Sequence, residues 1–460
     1  MNKNLLLLFN LLFSALLFSQ DGSLNISFVP ATNNYTGIQC IAVQPDNKVL
    51  VGSDAYLGQA IPIQAIARLN ANGSIDNSFI APAGYSNFHV FSIVVQPDGK
   101  IIVGGSDNGS GVKNYITRLN LDGSIDQTFN VGVGANDMVR SITLQPDGKI
   151  ILAGNFTLFN GQPSTYLVRL NSNGSIDNSF NPPWNPNSFI TSCTLLQNGK
   201  IIIKGVFTEL NGITNNYIAR LNADGTLDTS FDSANTINDF VHSNVVEDSN
   251  GKILFGASFS INGIAKHRVI RLNIDGTLDT TFNLSNETNS PVYSIAIQSN
   301  QKILIGGDFN YYNGISIKSF ARLNNDGSLD SSFNVGTGAN GTVSSIVPTN
   351  NNSVFISGGF SQYNGTNIIA IAKIAANNNL GTIEIAKSTF NIYPNPVIDR
   401  LFIDHKDILN YEILNMNGQK ISSGKQEKSF IDVSKLLRGS YLLKFTLKNQ
   451  ETITKKFIKQ

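Results

Sequence analysis

Gln145-Pro146-Asp147-Gly148-Lys149-Ile150-Ile151-Leu152-Ala153 and, after a loop, Arg169-Leu170-Asn171-Ser172-Asn173-Gly174-Ser175-Ile176-Asp177-Asn178-Ser179-Phe180 are the stretches that decide the fold. Val139 to Gln145 alternates in character, Pro146 to Lys149 reverses the chain, and Ile150 to Ala153 leaves the turn as a second strand that Gly154 ends. A loop with Phe156 and Asn160-Gly161 leads to a third strand, Tyr166 to Asn171, and past the Asn173-Gly174 turn to a fourth, Ile176 to Phe180. No stretch holds a helical period, which excludes crossover helices and a parallel α/β sheet.

The unit recurs. Arg-Leu-Asn returns at Arg68, Arg118, Arg169, Arg220, Arg271 and Arg322, in one step of 50 and four of 51, and a weaker copy follows at Lys373. The turn glycine returns at Gly22, Gly73, Gly123, Gly174, Gly225, Gly276 and Gly327, and the closing Phe at Phe28, Phe79, Phe129, Phe180, Phe231, Phe282 and Phe333. Four antiparallel strands in each 51-residue repeat read as an all-β, seven-bladed β-propeller rather than a β-solenoid, whose repeats are usually shorter. The Phe series starts before the first inner strand and stops before the last third strand, so the blades match only if Leu24–Phe28 closes the last one. Leu380–Glu384 competes for that place but carries Glu384 where Phe is needed.

Inner-strand landmarks fall at Gln44, Gln96, Gln145, Gln197, Glu247, Gln298 and Thr349, each four residues after a small side chain: Cys40, Ser92, Ser141, Cys193, Ser243, Ser294 and Ser345. Cys40 and Cys193 thus read as equivalent free, buried fillers on opposite blades, beyond the roughly 7 Å reach of a disulfide. Hairpin geometry pairs Arg68 with Asp76, Arg118 with Asp126, Arg169 with Asp177, Arg220 with Asp228, Arg271 with Asp279 and Arg322 with Asp330. The exceptions, Lys373 and Asn25, meet if the N-terminal strand closes the ring.

The Gln-Pro-Asp-Gly-Lys-Ile and Arg-Leu-Asn-x-Asp-Gly-Ser-Leu-Asp-x-Ser-Phe signatures resemble the bacterial delta-60 repeat family over about residues 22–376. That resemblance implies a propeller-like fold and no settled activity. The loop after the second strand keeps Phe and Asn-Gly in blades three to seven (Phe207 with Asn211-Gly212, Phe360 with Asn364-Gly365). Blades one and two depart from this, with Gly52-Ser53-Asp54-Ala55-Tyr56 and Gly105-Ser106-Asp107-Asn108.

Both ends carry other signals. Lys3 and the apolar run Leu5–Phe18, closed by Ser19, read as a secretory signal over residues 1–19, too short to span a bilayer, and no Cys follows for a lipoprotein anchor. No later segment is long and apolar enough to cross, so the mature chain is expected to lack a membrane span. The propeller is expected over 20–376 and a linker over 377–387. Residues 388–460 carry a net charge of +5 against −5 for 20–387. Strands Leu401–Asp404, Tyr411–Asn415, Ser429–Val433, Tyr441–Leu447 and Thr452–Ile458 suggest a small β-sandwich. Tyr393-Pro394-Asn395-Pro396, Ile413 to Gly418, Leu436 to Tyr441 with Gly439-Ser440-Tyr441, and Lys455-Lys456-Phe457-Ile458-Lys459 resemble the type A sorting domain of the type IX secretion system. The resemblance implies passage through the periplasm and across an outer membrane, contact with the secretion machinery and its sortase, removal of the domain, and release or surface attachment.

Net charge is +1 and only 14% of residues are charged, which excludes electrostatic capture of nucleic acid as the main business. His89, His242, His267 and His405 read as lying in different blades or in the sorting module, without ligand spacing, so no metal, cofactor or His-based nucleophile is assigned. The Asp-Gly turns at Asp98, Asp147 and Asp224 offer one carboxylate each where calcium takes six to eight oxygens, and read as turn chemistry. Aromatic residues in or near loops, Tyr56, Tyr85, Trp184, Tyr311 and Tyr312, are the candidates for contact with a ligand. The expected function is an exported binding or structural module for an extracellular glycan or protein, not an enzyme. The alternative is a polysaccharide- or protein-degrading enzyme, which needs acids or a His converging on one face.

Overall fold

The computed structural model describes residues 20–31, 37–53, 65–82, 88–107, 115–232, 240–261, 264–282, 287–349, 352–376, 392–403, 408–415, 419–425, 430–447 and 452–460. The signal segment 1–19, the linker 377–387, the competing strand 380–384, Tyr56, Tyr85 and His405 lie outside these residues. Two compact units divide the chain, Met1–Leu380 and Gly381–Gln460.

The larger unit is all β. In the third repeat Val139–Leu144, Ile150–Gly154 and Leu167–Leu170 form one antiparallel sheet with the middle segment central. The run Ile150-Ile151-Leu152-Ala153 is apolar on both faces because neighbouring sheets cover both, and all four residues are fully buried. Gly148 takes φ +82°, and Asp147 Oδ1 accepts the Lys149 amide at 3.1 Å, so the Asp-Gly pair works as a turn. Seven such three-strand sets follow one another. The fifth, Val246–Glu247, Ile253–Ile261 and Ile264–Leu272, continues through Glu287–Thr288 into a hairpin of the sixth repeat. Six apolar clusters join sheets that neighbour in chain order, and a further one, with Phe28, Ile38, Val49, Phe355 and Ile371, joins the first set to the last.

Two details of the repeat differ from expectation. The expected fourth strand is reduced to single bridges, such as Leu170↔Ile176 and Leu221↔Leu227. Its amides are taken locally: Asn173 Oδ1 accepts Ser175 N at 3.0 Å and Asp177 Oδ1 accepts Ser179 N at 3.0 Å, so side-chain turns replace a ladder. Conversely, the loop after the second strand is itself a hairpin, Leu158–Phe159 against Gln162–Pro163, with Asn160 at φ +47° and Gly161 at +74°. The fourth, sixth and seventh repeats share this hairpin.

The register corrects the inner-strand landmarks. Gln44, Gln96 and Gln145 each close their turn by donating to the lysine carbonyl four residues on; in the fourth repeat Leu196 does so, and in the fifth Asp248. Gln197 and Glu247 are therefore one residue out of step, and so are Cys193 and Ser243. The small-residue series is Cys40, Ser92, Ser141, Ser192, Asn244, Ser294 and Ser345. Its members stitch sheet to sheet: Ser92 Oγ accepts Ile142 N, Ser141 Oγ accepts Cys193 N, Asn244 Oδ1 accepts Ile295 N and Ser294 Oγ accepts Ile346 N, at 2.8–3.2 Å. Cys193 stands where five other repeats have Ile and the fifth repeat has Val245, so it is an apolar filler rather than a Ser substitute. Both cysteines are free.

At the N-terminal end, Leu24 bridges Ile374, Gly22 N donates to Ala375 O at 2.8 Å, and Asn25 N donates to Lys373 O at 2.7 Å. Asn25 Oδ1 accepts Ser27 N at 3.0 Å, as each repeat Asp does with its own Ser or Thr.

The smaller unit has two sheets. One orders Ile392–Tyr393, Arg400–Ile403 and Phe430–Asp432; the other orders Lys420–Lys425, Ile408–Leu414, Gly439–Leu447 and Thr452–Lys459. Val397, Leu401, Ile413, Leu443, Phe445 and Phe457 fill its core.

Candidate functional site

One end of the sheets is built from repeating residues. Each repeat Arg donates through Nε to its Asp Oδ2 at 2.5–2.8 Å, in all six expected pairs. The turn lysine adds a second cation: Lys48, Lys100, Lys149, Lys200 and Lys252 reach the same oxygens at 2.7–2.9 Å, and Lys302 reaches Asp330 at 3.3 Å. The Arg guanidinium lies 4.4–4.9 Å from the ring of the closing Phe. In the first five, Nη1 bonds a turn carbonyl of the next repeat, from Arg118 to Ser172 at 2.6 Å and from Arg169 to Ala223 at 2.7 Å, whereas in Arg322 it lies 3.5 Å from Gln298 Oε1 and Nη2 pairs with Asp21. Burial alone would raise these carboxyls. The Ser or Thr hydroxyl and amide, the lysine and the arginine outweigh it and hold all six below the usual range, Asp330 at about 2. Each repeat Arg, its Asp and the turn lysine are satisfied by neighbours from their own or the adjoining repeat, while Gln44 Oε1, Gln145 Oε1 and Asp248 Oδ2 at these turns are buried without a hydrogen-bond partner among the described residues. The repeating ion pairs make this end scaffold.

The opposite end, where first strands begin and second strands finish, does not repeat. The residue ahead of each small one is Gln39, Phe91, Arg140, Thr191, Ser243, Tyr293 or Ser344. Arg140 places its guanidinium 5.5 Å from the Phe91 ring and 5.2 Å from the Phe189 ring, so three adjoining sheets meet at one cation. Its Nε donates to Asn155 Oδ1 at 2.6 Å, and Nη2 lies 3.7 Å from Met138 Sδ. Burial lowers its pKa, with the Asp137 charge opposing. Lys204, on the next sheet, is buried; its Nζ donates to Ser243 O at 2.7 Å and to His242 O at 3.4 Å, and desolvation lowers its pKa to about 8.

His242 and His267 belong to the same repeat, the fifth, which corrects the expectation that the histidines lie in different blades. Ser258 Oγ lies 2.6 Å from both His242 Nε2 and His267 Nδ1, and the two rings are 6.1 Å apart. Tyr293 stands edge-on to His242 at 6.4 Å; burial, then the charge of Asp308, raises its pKa. Thr342 Oγ1 donates to Asp308 Oδ1 at 2.9 Å. Among the described residues no group of three or more His, Cys, Asp or Glu is arranged to hold a metal. A separate cavity of 840 Å³ lies at the third repeat, with Asn130, Asn160, Gln162, Ser164 and Asn178 in its wall.

Of the aromatic candidates, two prove to be core. Trp184 is buried with Nε1 donating to Gly225 O at 2.7 Å, and Tyr312 is buried with its hydroxyl donating to Gly327 O at 2.6 Å. Both anchor an outer hairpin or junction to a turn of their neighbourhood, which leaves no face for a ligand. Tyr311 is the exposed member, at 37%. In the smaller unit Tyr393 is 54% exposed and stacks on Phe402 at 5.9 Å, while Asn395 Oδ1 accepts Ile458 N at 2.9 Å. Pro394 and Pro396 follow cis bonds. Gly439 opens the strand that carries Tyr441, whose ring stacks on Phe457 at 5.6 Å and whose hydroxyl donates to Leu437 O at 2.9 Å. Lys455 and Lys456 pair with Leu443 and Leu442 on the last ladder.

Residues 44–79, 96–129, 145–180, 196–231, 249–282 and 298–333 each match the β-propeller domain of unknown function DUF5122, and residues 391–460 match the secretion system C-terminal sorting domain. The chain carries six DUF5122 propeller repeats and a type IX sorting domain. The sorting domain marks it for export to the cell surface or for secretion. The fourth DUF5122 match begins at Leu196, in the register of the hydrogen bonds. No curated protein matches the chain.

Among solved structures, PorZ, a surface component of the type IX secretion system of Porphyromonas gingivalis, is 12% identical with a TM-score of 0.47, over 95% of this chain and 61% of its own. An extracellular domain, BT4673, from B. thetaiotaomicron is 14% identical with a TM-score of 0.49, over 94% and 54%. YCF48 from Cyanidioschyzon merolae is 12% identical with a TM-score of 0.40, over 74% and 96%. The chain thus spans little more than half the length of the first two. No helix among the described residues is long and apolar enough to cross a membrane.

Sequence reasoning missed Arg140, Phe189, Lys204 and the His242–Ser258–His267 group of the DUF5122 propeller. A signal was present for Arg140: with the repeats in register, it is a long cation at a position where the fourth, fifth and seventh repeats carry Thr or Ser.

Proposed function

We propose that the mature chain, beginning near Gln20, is an exported, closed ring of seven blades that binds an extracellular glycan or protein through its non-repeating end. The N-terminal strand 24–28 completes the seventh blade, residues 377–387 form the linker, and 388–460 engage the type IX machinery and its sortase before release or surface attachment. The observation that carries the binding reading is the segregation of chemistry. Repeating Arg, Asp and Lys residues satisfy one another at the turn end, whereas Phe91, Arg140, Phe189, His242 and Tyr293, which follow no repeat rule, gather at the other. Scaffold roles repeat with the scaffold; ligand contacts need not. A glycan array probed with the full chain tests it. Retention of a defined glycan, reduced by substitutions at Phe91 and Tyr293, is expected. An empty array, with no protein captured from the cell surface, overturns the reading.

A second reading has one observation in its favour. Ser258 held between two imidazoles is an arrangement a hydrolase could use, one His accepting the hydroxyl proton. Labelling of wild type but not Ser258→Ala by a fluorophosphonate would favour an enzyme; absence of labelling leaves the group a buried hydrogen-bond network.

A further inference from the structure

Arg140 stands apart from every other arginine of the larger unit. Arg68, Arg118, Arg169, Arg220, Arg271 and Arg322 bind repeat carboxylates, and Arg268 binds Glu287 at 2.7 Å. Arg140 pairs with no carboxylate among the described residues. Its bonds are one from Nε to an amide oxygen and a weak one from Nη2 to a thioether, which leaves Nη1 without an acceptor among those residues. A guanidinium partly withdrawn from water, with the Asp137 charge acting on it but no carboxylate paired to it among the described residues, is costly unless something else completes the pairing. Here the Phe91 and Phe189 rings lie 5.5 and 5.2 Å from the guanidinium, and Nη1 has no acceptor among the described residues. Lys204, one sheet away and bonded to carbonyls, adds a second cation that pairs with no carboxylate among the described residues.

We propose that Arg140 receives the carboxylate of a uronate-bearing glycan, with Lys204 contributing positive potential behind it. This rests on the binding reading above and narrows its ligand. A planar carboxylate matches the guanidinium fork. At this end Asn155, Thr342 and the partly exposed Tyr293 are neutral donors and acceptors of the kind hydroxyl-rich rings require. Asp137 and Asp308 share the end and repel densely charged chains, which favours a ligand whose carboxylates are spaced by sugar over an acidic peptide.

Calorimetric titration of the full chain with trigalacturonate, galactotriose and a Glu-rich peptide decides it. Trigalacturonate should bind and galactotriose should bind at least tenfold more weakly. Arg140→Gln should lose roughly 10- to 100-fold in affinity, the worth of a charge-assisted bond, and Arg140→Lys should recover part of it. Equal binding of both sugars, uronate affinity unchanged in Arg140→Gln, or preference for the peptide overturns the uronate assignment. If Arg140→Gln does not fold, the wild-type contrast between the two sugars still decides. Failure with trigalacturonate alongside retention of neutral glycans on the array sinks this inference and leaves the binding reading standing. Failure of both removes the binding reading too.

Discussion

Replacing Phe28 with Ala tests how the propeller unit is closed. Phe28 is 1% exposed and meets Phe355 edge-to-face at 5.0 Å, among Ile38, Val49 and Ile371 of the first and last sheets. Truncating a core Phe costs about 3–5 kcal/mol through lost transfer energy and the cavity left behind. About 0.5–1.5 kcal/mol of that belongs to the aromatic pair. Unfolding entropy grows with chain length, so in a unit of this size each kcal/mol moves the midpoint by only about 1–2 °C, and the expected fall is roughly 3–10 °C. The terminal strand can also detach locally, which would cap the loss. Calorimetry should therefore be joined to hydrogen exchange at Gly22, Asn25 and Ala375, whose amides bond across the closure. Faster exchange there together with the lower midpoint is the expected pair. An unchanged midpoint with unchanged exchange would refute the closure by residues 24–28.

The repeat carboxylates give a pH dependence. Their folded pKa values lie below the unfolded ones, so their stabilisation is complete above about pH 4 and fades as pH falls through the folded values. Asp177→Asn, which strands a buried Arg169 beside a neutral partner, should lose about 3–5 kcal/mol at pH 7, and the gap from wild type should narrow in acid unfolding below about pH 3; a gap independent of pH would contradict the ion-pair account. Burial pushes the Cys40 thiol up to about 12 and the Cys193 thiol up to about 11. Neither should react with a maleimide at pH 8 in the native protein, and both should react after denaturation without reductant; rapid native labelling would show that the sheets do not cover them. Deleting residues 388–460 should leave the folded propeller in the periplasm, and fractionation finding it at the surface or in the medium would remove the sorting role.

The repeat was legible because each strand and turn is specified locally and many times over. Asp147-Gly148 reverses a chain wherever it occurs, and six Arg–Asp pairs at one spacing announce six hairpins. The register failed where a copy broke the rule: Leu195-Leu196-Gln197 carries its Gln one place late, and only the bond from Leu196 to Lys200 shows it. The fourth strand was over-read because Ile176 has strand character while Asn173 and Asp177 curl the backbone around it. Asn160-Gly161, both at positive φ, is the hairpin signal within what the sequence presents as a loop. Trp184, flanked by Pro183 and Pro186, packs at a junction as a Pro-flanked Trp commonly does, whereas the burial of Tyr312 rests on its bond to Gly327, out of reach of local reading. The non-repeating end was hidden for the same reason: Arg140, Lys204 and His267 come from three different sheets, and no single repeat shows what they share.

Hydroxyl-radical footprinting of the full chain with and without the strongest array glycan tests the central claim, that the non-repeating end is the binding surface. Protection should fall on Phe91, Phe189 and Tyr293, with the turn lysines and the cavity at Asn160 and Gln162 unchanged. Protection confined to that cavity or to the Lys149 end, with Phe91 and Tyr293 as reactive as before, would contradict it.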